Sequence, residues 1–417
     1  MKHQITGAVM MAALAWSGLA RAEEFSLWVR SDGSEYMPKL VDAFNAKGEH
    51  TAKLQIVTTD ELVQKYAIAS AGGSAPDALS LDLIYTPAFA EAGQLKDMTD
   101  FAKSLDYFDS LSKAHLSVAT FEDRIYGLPF SGDASILLWN KDLYEKAGLD
   151  PEKGPKSWAE IEDQARTIAG LGDDIYGFYF SGQCGGCAIF TFAPLIWASG
   201  GDLLQENGRK ATLTDPKMVA AVEFYRGMVE DGLVPAGAET DGGTNFFSAF
   251  ANGNIGIAPS GSFAIGALDN RYPDLNFGVT FLPGQTEGEW SSFAGGDNIV
   301  ISHGTPDEKV SAIEAFIQFA YSLEGQTILA NNGVVPVRGD IAKEALKDLD
   351  DRYAISAEAM AGGHTPYTTL FNDLINSRNG PWITALSAAW FASSADKAKA
   401  ALEAGEEEMQ SIIDSAN

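Results

Sequence analysis

The chain has 417 residues and a formal net charge of −28 at pH 7. Hydrophobic residues make up 46% and charged residues 21%, which is typical of a globular protein. So large an acidic excess argues against binding to phosphate backbones or anionic lipid surfaces, and therefore against nucleic acid as a partner. The length predicts about two lobes of ordinary size.

The beginning of the chain has the three parts of a secretory signal peptide. Lys2 and His3 give a positive start, residues 5–19 carry no charge, and residues 20–22 (Ala-Arg-Ala) form a small-x-small cleavage site. The uncharged stretch is shorter than the roughly 20 residues that span a bilayer. We therefore expect cleavage after Ala22 and a mature protein in the periplasm.

Taken in chain order, the spacing of apolar residues predicts short strands that alternate with helices. Strands are predicted at 25–30, 54–58, 77–83, 255–258 and 299–302. Helices are predicted at 36–46, 61–71, 158–169, 216–229 and 307–330, with a helix-rich end from residue 353. This alternation favours an α/β fold with a parallel sheet.

Residues 126–149, YGLPFSGDASILLWNKDLYEKAGL, contain an apolar run that is interrupted by Ser131, Gly132 and a single acid, Asp133. A strand broken by glycine beside a lone carboxylate is typical of a crossing between two lobes, with a ligand group at the joint. Because no nucleophile or base stands nearby, we predict that Asp133 holds a ligand and does not catalyse a reaction.

Motifs for catalysis, cofactors and metals are scarce. His50, His115, His303 and His364 have no metal-binding spacing, and we expect them on the surface or in loops. The glycine pairs lack the pattern of a phosphate-binding loop or a dinucleotide fingerprint. We therefore predict no catalytic residue, no metal and no cofactor, although abundant acids leave a glycosidase pair open.

The two cysteines, Cys184 and Cys187, lie in a Gly-Gln-Cys-Gly-Gly-Cys sequence. A redox pair, half of a zinc site, free thiols and a local disulfide are the alternatives. We favour the disulfide, because it suits an oxidising compartment and no second pair of zinc ligands is present. It would fix the shape of one loop.

Side chains that suit a sugar occur at predicted strand ends, where ligands of open α/β sheets bind. Aromatic faces stack on the apolar face of a sugar ring, and charged or amide groups bond its hydroxyls. The candidates are Asp32, Glu35, Tyr36, Asp82, Asp133, Phe263, Gly295, Gly296, Asp297, Arg338 and Trp382. Arg30 or Arg338 would be the cation that offsets the acids. Structural roles are the alternative for several: Asp32 as a helix cap, Phe263 in the core and Trp382 packed at a helix start.

An ordered series of motifs resembles one family. It comprises residues 126–149, the Pro-Lys-Ser-Trp-Ala-Glu sequence at 155–160, Ala-Pro-Asp at 75–77, PLIWASGGDLL at 194–204, FANGNIGIAPSGSF at 250–263, FAGGDNIVIS at 293–302 and Val-Pro-Val-Arg at 335–338. Together they resemble the family 1 extracellular solute-binding proteins, the maltose-binding-protein-like receptors of carbohydrate ABC importers.

This resemblance implies a two-lobed periplasmic-binding-protein-like fold of type II, with a ligand cleft between α/β lobes that close by a hinge motion. It places one lobe at 23–132 plus 293–345 and the other at 133–292 plus 346–417, after a signal peptide at 1–22. It implies a monomer that binds a carbohydrate or polyol and delivers it to membrane permease subunits.

Two departures from the maltose-binding members bear on the ligand. Leu81, Asp82 and Leu83 stand where those members have a tryptophan and a charged pair, and Phe263 replaces another tryptophan. Fewer large aromatics favour a smaller or more polar ligand, and several acids in one cleft favour a neutral one. The alternative is a secreted glycoside hydrolase or lyase that uses the cleft carboxylates.

Overall fold

The computed structural model describes residues 22–245 and 247–416, so the predicted signal peptide lies outside the described residues except for Ala22. The strands are β1 (Glu24–Arg30), β2 (Thr51–Val57), β3 (Ala78–Asp82), β4 (Thr120–Phe121), β5 (Arg124–Ile125), β6 (Leu128–Asn140), β7 (Tyr176–Phe178), β8 (Leu204–Gln205), β9 (Lys210–Ala211), β10 (Ile255–Gly261), β11 (Phe277–Thr280), β12 (Leu282–Pro283), β13 (Trp290–Ser291) and β14 (Ala294–Ile301).

Helices cover both faces of this sheet system, as the alternating pattern predicts. They are α1 (Met37–Asn45), α2 (Thr59–Ala71), α3 (Thr86–Glu91), α4 (Thr99–Ser104), α5 (Lys113–Ala119), α6 (Lys141–Lys146), α7 (Trp158–Ala169), α8 (Gly185–Thr191), α9 (Ala193–Ala198), α10 (Pro216–Glu230), α11 (Ser248–Ala251), α12 (Phe263–Arg271), α13 (Asp307–Tyr321), α14 (Leu323–Ala330), α15 (Gly339–Ala345), α16 (Asp351–Ala361), α17 (Pro381–Trp390) and α18 (Ala395–Ala416). Short 3-10 segments lie at Ser31–Glu35, Leu83–Tyr85, Phe108–Ser110 and Ala236–Thr240, and a π-helical segment lies at Asn372–Asn376.

Most predicted elements are confirmed within a few residues, and local chemistry explains their ends. The Ser157 hydroxyl accepts a hydrogen bond from the Glu160 amide and caps α7, as expected. The helix predicted at 307–330 is two helices, because the chain turns at Ser322, whose hydroxyl accepts a bond from the Gly325 amide and starts α14.

The prediction of a parallel sheet is wrong for four of the seven pairings in the main sheet, because the sheet is mixed. The strand order is β2-β1-β3-β14-β6-β10-β7, with β11 also paired to β6. β1 is parallel to β2 and β3, whereas β14 is antiparallel to β3 and β6, and β10 is antiparallel to β6. Alternation of strands and helices does not reveal that β14 returns to lie between β3 and β6, antiparallel to both.

β6 is the strand that runs through both halves of the molecule. Its first part, from Leu128 to Ala134, pairs with β14, and its second part, from Ser135 to Asn140, pairs with β10 and β11. The mixed α/β fold is therefore two lobes that share one continuous strand.

The buried apolar residues form cores that lie mainly on one side or the other of this junction, and Leu83, Ile84 and Val118 join the larger core of the second side. One side has β1, β3, β14 and α13, and the other has α7, α8, α9, α10 and α17. The lobe boundaries at 132/133 and 292/293 stay a prediction that this separation supports. α16 packs on both sides, with Met360 on the first core and Tyr353 on the second.

Three chain segments converge at Gly132. The Val335 amide donates to the Gly132 carbonyl oxygen at 2.9 Å, and Gly132 is paired with Gly296 of β14. A methyl group on Gly132 would lie 2.5 Å from the Val335 carbonyl oxygen. Gly296 has φ +117°, and a methyl group there would lie 1.9 Å from the Ser131 carbonyl oxygen. Only glycine fits both positions.

Within the described residues, no helix is both long and apolar enough to cross a membrane.

Candidate ligand-binding cleft

A cavity of about 1120 Å³ lies where the two lobes face each other at the hinge. Seven of the predicted site residues line it: Asp32, Glu35, Tyr36, Asp82, Asp133, Phe263 and Gly296. The first four come from the N-terminal lobe, where β1 and β3 end at the same edge of the sheet. This is the edge at which α/β sheets bind ligands.

The polar wall of the cleft is organised around Arg30, the last residue of β1. Its Nη1 lies 3.0 Å from Asp32 and 3.1 Å from Asp82, and its Nη2 lies 2.6 Å from the buried carboxylate of Asp297. Asp297 also accepts a hydrogen bond of 2.6 Å from the Ser80 hydroxyl. One guanidinium thus fixes three carboxylates, and two of them, Asp32 and Asp82, line the cleft.

This crowding of charge perturbs the pKa values of the wall. Burial and the neighbouring Asp297 raise the pKa of Asp82 to about 6, although Arg30 acts in the opposite direction. Burial and Asp297 also raise the pKa of Tyr36 above its ordinary value. For Arg30, burial is outweighed by the three carboxylates, which raise its pKa well above its usual value.

Asp133 lies at the joint between the lobes, as predicted, but one of its oxygens is fully engaged. Oδ1 accepts hydrogen bonds from the Ser262 hydroxyl, from the Ala134 amide at 2.9 Å and from the Phe263 amide at 3.4 Å. Burial raises the pKa of Asp133, and these donors partly offset it. The Asp133 carboxylate therefore connects the hinge to the start of α12, whose first residue is Phe263.

The opposite wall is aromatic and comes mostly from the C-terminal lobe. The rings of Phe190 and Phe263 are 6.3 Å apart and those of Phe190 and Phe293 are 4.9 Å apart, both edge-to-face. Phe263 is 42% exposed, so part of its ring is available to a ligand. Tyr353 and Phe371 also line this side.

The chain matches the bacterial extracellular solute-binding proteins over residues 30–327, more than half of its length. It belongs to this family. The diacetylchitobiose binding protein DasA of Streptomyces coelicolor is 28% identical to this solute-binding protein over 371 residues, which cover 86% of this chain and 83% of DasA.

Solved structures share the fold of this solute-binding protein. An ABC transporter solute-binding protein of Thermotoga lettingae, bound with α-D-tagatose, is 22% identical with a TM-score of 0.77, and the match covers 94% of this chain and 100% of that one. The cyclic α-maltosyl-1,6-maltose binding protein of Arthrobacter globiformis is 22% identical with a TM-score of 0.80, covering 95% and 100%. The family consists of receptors, so this protein is a receptor and not an enzyme.

Four predicted site residues do not line the cleft of this solute-binding protein. Trp382 has no exposed surface and packs near Phe192 in the C-terminal core, so it cannot stack on a sugar here. Arg338 lies over the ring of Tyr107 at 3.7 Å and pairs with Asp340.

Asp297 and Gly295 lie beneath the residues that line the cleft and do not line it themselves. Asp297 is completely buried and acts on the cleft through Arg30. Gly295 and Gly296 lie inside β14 and not before it, and a methyl group on Gly295 would lie 2.7 Å from the Phe293 ring. The lack of a side chain at Gly296 lets β14 approach the Ser131 carbonyl, and its lack at Gly295 leaves space for the Phe293 ring.

Sequence reasoning missed several lining residues, including Lys39, Phe190, Arg271, Tyr353 and Asn376. They lie on helices or loops far apart in the chain, and none belongs to a recognisable motif. Only their meeting in the folded cleft identifies them.

The expectation for His115 is also corrected. Its ring is completely buried in α5, where Nδ1 lies 2.9 Å from the Ser112 hydroxyl and Nε2 lies 3.1 Å from the Ser131 carbonyl oxygen. Burial lowers its pKa to about 4, so it is neutral near pH 7 and supports the hinge. In the part of the chain that the structure describes, no group of three His, Cys, Asp or Glu side chains could hold a metal ion.

The predicted disulfide between Cys184 and Cys187 is confirmed. It lies at the start of α8, where the Cys184 sulfur also accepts a hydrogen bond of 3.1 Å from the Cys187 amide. α8 supplies Gly186, Ile189 and Phe190 to the cleft. The disulfide therefore fixes the beginning of a helix that forms part of the aromatic wall.

Proposed function

We propose that this protein is the periplasmic solute-binding subunit of a carbohydrate ABC importer. It captures a neutral sugar, short oligosaccharide or polyol by hinge closure and delivers it to membrane permease subunits. The observation that carries the proposal is the pairing of an exposed aromatic ring, Phe263, with carboxylates on the facing wall. The apolar face of a sugar ring can stack on Phe263, and its hydroxyl groups can donate to the carboxylates.

The charge and the volume of the cleft limit the kinds of ligand that it suits. Four acids, Asp32, Glu35, Asp82 and Asp133, line the cleft together with three cations, Arg30, Lys39 and Arg271. This near balance supports a neutral ligand over a charged one. Ligand pockets usually measure about 300–1000 Å³, so a cleft of 1120 Å³ has room for more than one sugar ring.

The cellular setting belongs to the same proposal. Secretion with cleavage after Ala22, action as a monomer and the lack of a nucleic-acid partner are what the signal-like first residues and the acidic composition support. The related diacetylchitobiose, tagatose and maltosyl-maltose binding proteins supply the first ligands to try.

A thermal-shift screen of the ligand-stripped mature protein tests the proposal. The panel contains diacetylchitobiose, α-D-tagatose, cyclic maltosyl-maltose, maltose and mannitol. A true ligand at 100 times its dissociation constant should stabilise the folded state by about 2.7 kcal/mol. The same sugar should be recovered unchanged after long incubation, and cleavage that Asp133→Asn abolishes would overturn the receptor function.

Asp133→Ala and Phe263→Ala serve as the matched site variants. Loss of a charge-assisted hydrogen bond costs about 1.5–3 kcal/mol, so Asp133→Ala should weaken binding by roughly tenfold to more than a hundredfold. Wild-type affinity in both variants would contradict the assignment of this cleft as the sugar-binding site.

A further inference from the structure

Beyond the strands of the hinge, Tyr85 and Asn376 connect the two lobes. The Asn376 side-chain amide (Nδ2) donates to the Tyr85 hydroxyl at 2.9 Å, across 291 positions of the chain. Tyr85 ends the 3-10 segment that follows β3, and its partly buried ring packs against the N-terminal core and against the larger cluster that joins Leu83 and Ile84 to the C-terminal core. Asn376 ends the π-helical segment Asn372–Asn376 of the C-terminal lobe.

The π-helical segment rests on the glycine pair between the two cysteines. A methyl group on Gly185 would lie 2.5 Å from the Ile375 carbonyl oxygen, and one on Gly186 would lie 2.9 Å from Oδ1 of Asn376. Any larger residue would push this segment away. The disulfide closes the turn that carries both glycines, so it fixes the surface that supports Asn376.

The location of a π-helix agrees with a functional role, because π-helical turns are rare and occur frequently at functional sites. Its last residue, Asn376, both lines the cleft and reaches the other lobe. Tyr85 is not among the lining residues, so its hydroxyl can be removed without deleting a group of the cleft wall.

We propose that Tyr85 and Asn376 form a latch that favours the closed arrangement of the lobes, and that the Cys184–Cys187 disulfide positions this latch. Rotation about the hinge at Gly132 moves the two lobes apart, so an opened molecule loses the bond. The net value of one hydrogen bond corresponds to a change of about two- to tenfold in the ratio of open to closed molecules. The latch rests on the hinge closure of the proposed function, but it does not depend on which sugar is bound.

Distance measurements on the ligand-free, full mature chain test the latch. Nitroxide labels at Gln55→Cys and Asp173→Cys occupy exposed positions on β2 and just before β7, the two ends of the strand order. Tyr85→Phe should increase the ratio of open-state to closed-state distances in the distribution by about two- to tenfold. A distribution identical to that of the wild type would overturn the latch.

Tyr66→Phe is the matched control. It removes a tyrosine hydroxyl that bonds to the Gln94 carbonyl oxygen and the Ser302 hydroxyl, both within the N-terminal lobe. It should leave the distance distribution unchanged even if it lowers the melting temperature. An equal shift in this control would assign the effect to general loss of stability and contradict the latch.

The disulfide is tested by combining substitutions. Cys184→Ser with Cys187→Ser should shift the distribution in the same direction as Tyr85→Phe, and should add little in the Tyr85→Phe background, because coupled residues are not additive. No shift, or a fully additive one, would remove the disulfide from the latch. Asn376→Ala should reproduce Tyr85→Phe. These readouts need no sugar, so a failed sugar screen and a failed latch are separate results.

Discussion

At the scale of single residues, Asp82 is a cleft carboxyl group whose ionisation is unfavourable in the folded protein. It lies at the end of β3, shares Arg30 with Asp32 and Asp297, and has a pKa of about 6 instead of 3.8. One guanidinium does not balance the buried carboxylate of Asp297, the largely buried one of Asp82 and the exposed one of Asp32 together. Hydroxyl groups of a bound sugar would donate to the carboxylates of Asp32 and Asp82, which line the cleft, and such a wall would therefore serve ligand capture.

Asp82→Asn should raise the free energy of unfolding near pH 7.5. Because the folded-state pKa lies above the unfolded value, the folded protein binds this proton more tightly, and ionisation costs stability as the pH rises from about 4 to about 6. Asparagine has no such cost. The difference between variant and wild type should therefore grow over this window by at most about 3 kcal/mol. Urea unfolding at pH 4, 5, 6 and 7.5 measures it, and a pH-independent difference would contradict the stated cause.

Phe263 and Trp382 should separate binding from stability. Phe263 is 42% exposed, so Phe263→Ala should change the free energy of unfolding by less than about 1 kcal/mol but lower sugar affinity by roughly tenfold. Trp382 is fully buried, so Trp382→Ala should cost about 3–5 kcal/mol of stability. Calorimetric titration and urea unfolding of both variants measure the two effects. Reversed results would place the stacking ring at Trp382.

The sequence is informative about individual site residues only where they follow a strand. Asp32 and Asp82 were predictable because the ends of β1 and β3 meet at one edge of the sheet. Trp382 was not, because a position at a helix start does not determine which side of α17 faces the core. Phe190 and Asn376 owe their place in the cleft to contacts between distant segments, which no local pattern records.

At the scale of elements, the hinge depends on close backbone approach at Gly132 and Gly296. Gly296→Ala should lower the free energy of unfolding by about 1–3 kcal/mol or more, because φ is +117° and the new methyl group would overlap the Ser131 carbonyl. Gly304→Ala, where a methyl group meets nothing within 4 Å, should stay within about 0.5 kcal/mol of the wild type. Urea unfolding measures the stability of both variants. Equal stability of Gly296→Ala and Gly304→Ala would contradict a steric requirement for glycine at position 296.

Helix existence and capping were readable from local chemistry, as the hydroxyl of Ser157 at the start of α7 illustrates. Strand direction was not. β14 arrives at the N-terminal sheet after the chain has passed through the other lobe, and it pairs antiparallel with both β3 and β6. The direction of a returning strand depends on that long excursion and not on its own residues.

At the scale of the whole molecule, two charge patterns differ. The full chain carries a net charge of −28, yet the residues that line the cleft hold four acids and three cations. The acidic excess therefore lies mainly outside the ligand site. An acidic surface disfavours contact with anionic lipids, while the near-balanced cleft is suited to a ligand without charge.

This separation predicts that sugar affinity is nearly independent of salt. Screening lengths fall from about 10 Å at 0.1 M to about 3 Å at 1 M ionic strength, which weakens attraction between charges but leaves neutral hydrogen bonding and stacking unaffected. The dissociation constant of a neutral sugar should thus change less than about twofold across this range, measured by calorimetric titration. A cationic ligand would bind progressively more weakly, because the field of an acidic chain would no longer attract it. A strong salt dependence would therefore show that the carboxylates of Asp32, Asp82 and Asp133 recognise a charge and not hydroxyl groups.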